Sequence, residues 1–299
     1  MKKRLLSITT MSLLFVSATN IWANTATNKS TIDHINSTEH IYPLPFSINF
    51  AGEKVPMHLI DVKERLDREM IINTNLHSTT VVTIKRAARY FPVIEPILKK
   101  NGVPDDFKYL CVIESTLSNA VSSAGASGFW QFMKGTAKDY KMTVDEYVDE
   151  RYDVVKATEA ACKYFNDAYK KFGNWTLVAA SYNRGMGGIS RAMESQFVDN
   201  YYDMYLNQET SRYVFRILAL KEIMGAPEKY GYAMPIQEMY KPVKTKQIEV
   251  STDIDDLAKF AKEQGINYKL IKLYNPWLIS TNLKVNGKTY QIEIPTEGI

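Results

Sequence analysis

The sequence predicts a mainly α-helical body followed by a small α+β module. Three observations carry this. Apolar residues recur at helical spacing between Val62 and Met224. Glycines and small residues interrupt that pattern as loops. After Lys241 the texture changes to strand, helix, helix, strand over about 50 residues, with a boundary near Pro235 to Pro242. A chain of 299 residues accommodates one large and one small domain.

Met1 to Arg4 is a basic start, Leu5 to Ala18 is mostly apolar, and small residues follow at Ser17, Ala18 and Ala23. Residues 1–23 therefore read as a secretory signal peptide, and the apolar run is short for a span of about 20 residues. Residues 24–60 read as a partly flexible leader, rich in Asn, Thr and Ser up to about Tyr42. The helical body is placed at 61–235. Val81, Ile84, Ala88 and Phe91 share one helical face, and Pro92, Gly102 and Pro104 punctuate the next stretch. Asp105 and Asp106 suit the positive start of a helix. Ser118 to Gly128 is almost wholly Ser, Ala and Gly and reads as a loop. Asp153 to Phe172 is an amphipathic helix ended by Gly173, after which Asn174 can cap the helix from Trp175. Gly185, Gly187 and Gly188 break the chain again, and a last long helix runs from about Glu209 to Met224. The α+β module is placed at 243–296, with strands at Gln247–Val250 and Tyr290–Ile294 around helices at 254–264 and 268–274.

Composition narrows the function classes. The fractions of hydrophobic (45%) and charged (23%) residues are those of a soluble globular protein. Four histidines and two cysteines leave little room for a metal site, and no metal or cofactor is expected. The net charge of +4 includes Lys2, Lys3 and Arg4, the only charges before Asn24, so a processed chain would carry +1. That excludes bulk electrostatic capture of nucleic acid. Cys111 and Cys162 could form a disulfide in an exported protein or stay as buried thiols on apolar helix faces.

One stripe carries a chemical anomaly. Phe107, Leu110, Cys111, Glu114 and Leu117 lie at i, i+3, i+4, i+7 and i+10, so a carboxyl group sits against apolar surface. Lost hydration raises a carboxyl pKa and keeps part of it protonated near neutrality, as a general acid requires. Glu114-Ser115 is followed by Gly125-Ala126, Gly128-Phe-Trp-Gln-Phe-Met133, Ser181-Tyr-Asn-Arg-Gly185 and Glu209-Thr-Ser-Arg-Tyr213. In this order and spacing the motifs resemble those of the soluble-type (family 1) lytic transglycosylases, and the layout with a following module resembles their membrane-bound D group. The resemblance covers about Arg89 to Tyr230.

That resemblance implies a lysozyme-like helical domain acting on the glycan strands of bacterial peptidoglycan, with no nucleic acid and no obligatory protein partner. It implies cleavage of the β-1,4 bond between N-acetylmuramic acid and N-acetylglucosamine, leaving a 1,6-anhydro sugar. Glu114 matches the single catalytic residue, acid first and base second. Ser115, Gln131, Met133, Tyr182, Asn183, Glu209 and Tyr213 match substrate-binding or supporting positions. Ser115 would orient the carboxyl group or touch substrate, Gln131 and Met133 would line the groove, and the Tyr182 hydroxyl would steady Glu114 or the sugar. Trp130 and Phe132 read as core. The chain departs from the family at Phe129-Trp130, Ser181 and Arg184. Residues 246–295 resemble a LysM domain, although Ser251-Thr-Asp-Ile254 replaces the usual Gly-Asp-Thr start, so glycan binding and a purely structural role both stand. With the signal peptide, the resemblance implies export to the periplasm or cell envelope. The alternatives are a goose-type lysozyme-like muramidase and a wall-binding protein that has lost catalysis.

Overall fold

The computed structural model describes residues 41–297; the stretch read as a signal peptide and the first part of the expected leader lie outside the described residues. The body is helical. Helices α1 (Ile60–Asn75), α2 (His77–Lys100), α3 (Lys108–Ser115), α4 (Lys134–Asp139), α5 (Val154–Phe172), α6 (Trp175–Arg184), α7 (Met186–Gln196) and α8 (Gln208–Gly225) follow in order. Helix α8 is the axis of the body. Tyr213, Val214, Phe215, Ile217, Leu218, Ala219 and Ile223 are all buried on it, so it is apolar around most of its circumference. Such a helix must be surrounded, and α1, α3 and α6 pack against it.

Local chemistry explains the boundaries. Asp153 accepts from the amides of Val155 and Lys156 and starts α5, and Gly173 ends it in the left-handed conformation. Asn174 caps α6 through the Leu177 amide. Two sequence expectations are corrected. Pro92 does not end a helix, because α2 continues through Pro92 and Pro96 to Lys100. The lost backbone bonds are offset by burial of Ile84, Ala87, Ile94 and Leu98 against the core. Gly187 and Gly188 lie inside α7; only Gly185, with φ of 77°, breaks the chain.

Residues 41–60, read as the later part of a leader, contain a short hairpin of β1 (Asn49–Phe50) and β2 (Glu53–Lys54). Phe50 is fully buried beside Phe107. The Glu53 carboxylate accepts from the Trp175 and Thr176 amides, where the positive end of α6 favours an anion. Glu69, also unanticipated, is buried on α1 and held by both nitrogens of the Arg212 fork.

The C-terminal module pairs β3 (Thr245–Val250) antiparallel with β4 (Tyr290–Pro295) and packs α9 (Leu257–Glu263) and α10 (Tyr268–Tyr274) on them. Its core holds Val250, Leu257, Ala261, Ile271, Leu278, Leu283 and Ile292. Asn275, fully buried, exchanges two hydrogen bonds with the Glu293 backbone and so ties α10 to β4. The described residues, 41–297, group as one compact unit. Val148 of the body enters the module's core, and the Asp149 and Ile279 amides bond the Trp277 and Tyr147 carbonyls.

Candidate active site

Glu114 stands one residue before the end of α3, where Thr116 adopts a left-handed conformation and stops the helix. Leu110, Cys111 and Leu117 beside it are buried, while Glu114 keeps part of its surface open. The last carbonyls of this short helix are satisfied by arginines: Arg216 donates to the Ile113 carbonyl at 3.0 Å and Arg86 to the Thr116 carbonyl at 3.0 Å.

The carboxyl group is held by Tyr213 of α8, whose hydroxyl donates to Glu114 Oε1. Loss of hydration pushes the Glu114 pKa up to about 7. The Tyr213 hydrogen bond and the Arg216 charge pull it down, and nearby Glu209 adds a smaller upward push. Near neutral pH the group is therefore shared between acid and carboxylate, the state that proton donation followed by proton removal requires. Burial and the facing carboxyl group hold the Tyr213 hydroxyl well above its ordinary pKa, so it stays a donor.

The remaining site residues divide by what their polar atoms already do. Asn183 Nδ2 donates to Glu209 Oε1 at 2.8 Å, and its Oδ1 accepts from Thr210 Oγ1 at 2.8 Å. This network ties the end of α6 to the start of α8, and Glu209 is exposed beside it. Met133 is 46% exposed, placing an apolar side chain at the surface where the loop from Ser118 enters α4. Ser115 is 5% exposed, and its hydroxyl bonds back to the Cys111 carbonyl at 3.3 Å. It does not orient the Glu114 carboxyl group, because that hydroxyl turns into its own helix. Gln131, at φ of 50°, spends its amide donors on the Ala120 and Gly128 carbonyls.

Tyr182 differs from expectation in the same way. Its hydroxyl donates to the Trp130 carbonyl at 2.7 Å, and its ring packs against Phe132, Tyr164 and Phe165. The tyrosine that steadies Glu114 is Tyr213. Both phenols lie near the acid, and only tertiary packing decides which hydroxyl reaches it. Sequence reasoning missed Arg216 altogether and quoted Thr210 within a motif without giving it a role. Arg216 stands three residues after Tyr213 on α8, a spacing that puts the two side chains on one face, and that is the signal that could have found it.

The glycine-rich stretch forms a folded loop. Ser127 is paired with both Val121 and Phe132, and Trp130 is fully buried with its indole N–H on Thr158 Oγ1 at 2.8 Å. Cys111 and Cys162 are buried free thiols, and Cys111 Sγ lies 3.4 Å from the Phe129 carbonyl.

Comparison with known proteins places Glu114 and the site residues up to Asn183 within a recognised domain. Residues 91–204 match the transglycosylase SLT domain, and residues 246–298 match the soluble lytic transglycosylase C-terminal LysM-like domain. The chain is 28% identical over 250 residues to the membrane-bound lytic murein transglycosylase D of Escherichia coli K12, covering 81% of this chain and 54% of that protein. It thus spans about half the length of that relative. A putative tributyltin chloride resistance protein of an Alteromonas species is 32% identical over 130 residues, which is 41% of this chain and 63% of that one. A solved structure of an inactive mutant of the lytic transglycosylase Slt from Pseudomonas aeruginosa matches 51% of this chain and 26% of its own, with 20% identity and a TM-score of 0.37. The two domain matches show that the chain carries an SLT transglycosylase domain followed by a LysM-like domain.

Proposed function

We propose that this chain, with its SLT transglycosylase domain and LysM-like domain, is an exported peptidoglycan lytic transglycosylase. The observation that carries the reading is the seat of Glu114: a carboxyl group with a pKa near 7, bonded by Tyr213, partly open to the surface. In this reading the protonated form gives its proton to the glycosidic oxygen between N-acetylmuramic acid and N-acetylglucosamine. The resulting carboxylate takes the proton of the muramic C6 hydroxyl as that oxygen closes on C1. One bond to C1 breaks, another forms, and Glu114 ends as it began. The general acid step alone is worth about 10²- to 10⁴-fold in rate.

Met133 and Glu209, which stay exposed, are assigned to the sugar groove, and Asn183 to holding Glu209 in it. Ser115, Gln131 and Tyr182 are assigned to holding its walls, since their donors serve the protein. Residues 1–23 are assigned to export towards the cell envelope. Among the described residues no helix is long and apolar enough to cross a membrane.

Mass spectrometry of fragments released from purified sacculi tests the reaction. Transglycosylation gives muramic ends one water lighter than reducing ends. Fragments carrying reducing ends would instead assign a hydrolytic muramidase, and no fragments at all a wall-binding protein. A second expectation concerns pH. In Tyr213→Phe the carboxylate loses a hydrogen bond that favours it, so the Glu114 pKa rises further. The fall in kcat/KM on the alkaline side then moves to higher pH than in the wild type, while kcat drops because the carboxyl group is less well held. An alkaline limb at unchanged pH would remove Tyr213 from this role.

A further inference from the structure

We infer that Arg151 is a positioning residue for the substrate loop, and that the LysM-like module braces that loop through it. The inference rests on the transglycosylase reading for its consequence in catalysis. The loop between Ser118 and Met133 comes directly after the acid and holds Gln131 and Met133. Its backbone carbonyls at Ala120, Gly125, Gly128 and Phe132 accept side-chain hydrogen bonds. Arg151 Nη1 donates to two of them, Gly125 at 3.0 Å and Phe132 at 3.1 Å. The other side of the same guanidinium is occupied by Asp149, which accepts from Arg151 Nε at 2.9 Å and Nη2 at 2.7 Å. Both side chains are almost fully buried, so the pair has fixed geometry and little screening. Packing is equally tight: a Cβ built on Gly128 would lie 1.8 Å from the Arg151 carbonyl oxygen. Asn119 Nδ2 adds a bond to the Tyr152 carbonyl at 3.3 Å.

The opposite face of the same segment is fastened to the module. Val148 bridges Leu278 and is fully buried in the module's core. The Asp149 amide donates to the Trp277 carbonyl at 2.9 Å, the Ile279 amide to the Tyr147 carbonyl at 3.0 Å, and Lys288 Nζ to Thr143 Oγ1 at 2.7 Å. Residues 143–152 are thus a seam with the substrate loop on one side and the module on the other. A domain tethered only to bind wall glycan needs no such seam. The two fastenings meet in this ion pair: the Asp149 amide bonds the module, and the Asp149 carboxylate holds the Arg151 that bonds the loop.

The full chain carries the test, with Arg151→Met, Arg151→Lys and the milder Val148→Ala, which shortens the anchor into the module. Amide hydrogen exchange is followed in residues 118–133 and, as reference, in α8. Arg151→Met is expected to speed exchange in the loop about tenfold with α8 still protected, and to raise KM for purified glycan strands about tenfold with a smaller change in kcat. Arg151→Lys, which keeps the charge but not the fork, falls between, and Val148→Ala shifts the loop in the same direction by less. Unchanged loop exchange in a folded Arg151→Met variant overturns the inference. So does exchange rising equally in α8, which would make the pair a mere contributor to global stability. If the wild type releases no fragments, the transglycosylase reading falls while the exchange comparison still decides the brace.

Discussion

Glu114→Gln is expected to lose activity on peptidoglycan by at least about 10²- to 10⁴-fold while keeping its fold and its affinity for glycan. Glutamine fills the same space and can accept the Tyr213 hydroxyl bond, but it can neither give nor regain a proton. The same variant should be more stable than the wild type above pH 7. The folded pKa of about 7 lies above the ordinary 4.5, so the folded state binds more protons than the unfolded chain between those values. Wild-type stability therefore falls as pH rises from about 4.5 to 7, because a hydration-starved carboxyl group is forced to ionise. A shift of this size corresponds to about 3 kcal/mol at full ionisation, and Gln removes that pH slope. Urea unfolding at pH 5 and pH 8 checks it: parallel curves for wild type and variant would show that Glu114 ionises as freely as in water. Fragment release at the wild-type rate would remove Glu114 from the chemistry.

Gly128→Ala is expected to cost about 3 kcal/mol or more, the largest loss from alanine at any glycine among the described residues. Gly128 has φ of 79°, which costs an L-residue about 1 to 2 kcal/mol. The new Cβ would also meet the Arg151 carbonyl oxygen at 1.8 Å, and the obstacle is backbone that cannot swing aside. Gly125→Ala is the control. Its φ is 85°, yet nothing lies within 4 Å of its Cβ position, so only the conformational cost of about 1 to 2 kcal/mol applies. Thermal or denaturant unfolding of the two variants separates steric from conformational cost. Equal losses at both positions would contradict the packing of residues 143–152 against the loop.

How far this site is legible before folding depends on whether its chemistry is local. Glu114 is visible because its anomaly lies within one helix: a carboxyl group on the stripe of Phe107, Leu110 and Cys111. The ends of α5 and the start of α6 are visible because Asp153, Gly173 and Asn174 act on their own neighbours. The order strand, helix, helix, strand in the module is legible for the same reason. The partner of Glu114 is not. The sequence points to Tyr182, but the Trp130 carbonyl takes the Tyr182 hydroxyl across 52 residues of chain, and Tyr213 reaches the acid instead. Arg151 and Asp149 sit in a stretch with little periodicity, and their role emerges only when Gly125 and Phe132 are folded against them. Pro92 misleads because a breaker's local cost is outweighed by the buried face on either side of it.

The proposed chemistry turns on one proton, and its titration can be observed directly. Carbon-13 NMR of protein labelled at glutamate side-chain carboxyl carbons, with Glu114 assigned by its absence in Glu114→Gln, follows that group through pH. A midpoint near 7 is expected, far above the ordinary carboxyl value of 4.5. A midpoint near 4.5 would contradict the assignment, because a carboxyl group fully ionised at neutral pH has no proton to give the glycosidic oxygen.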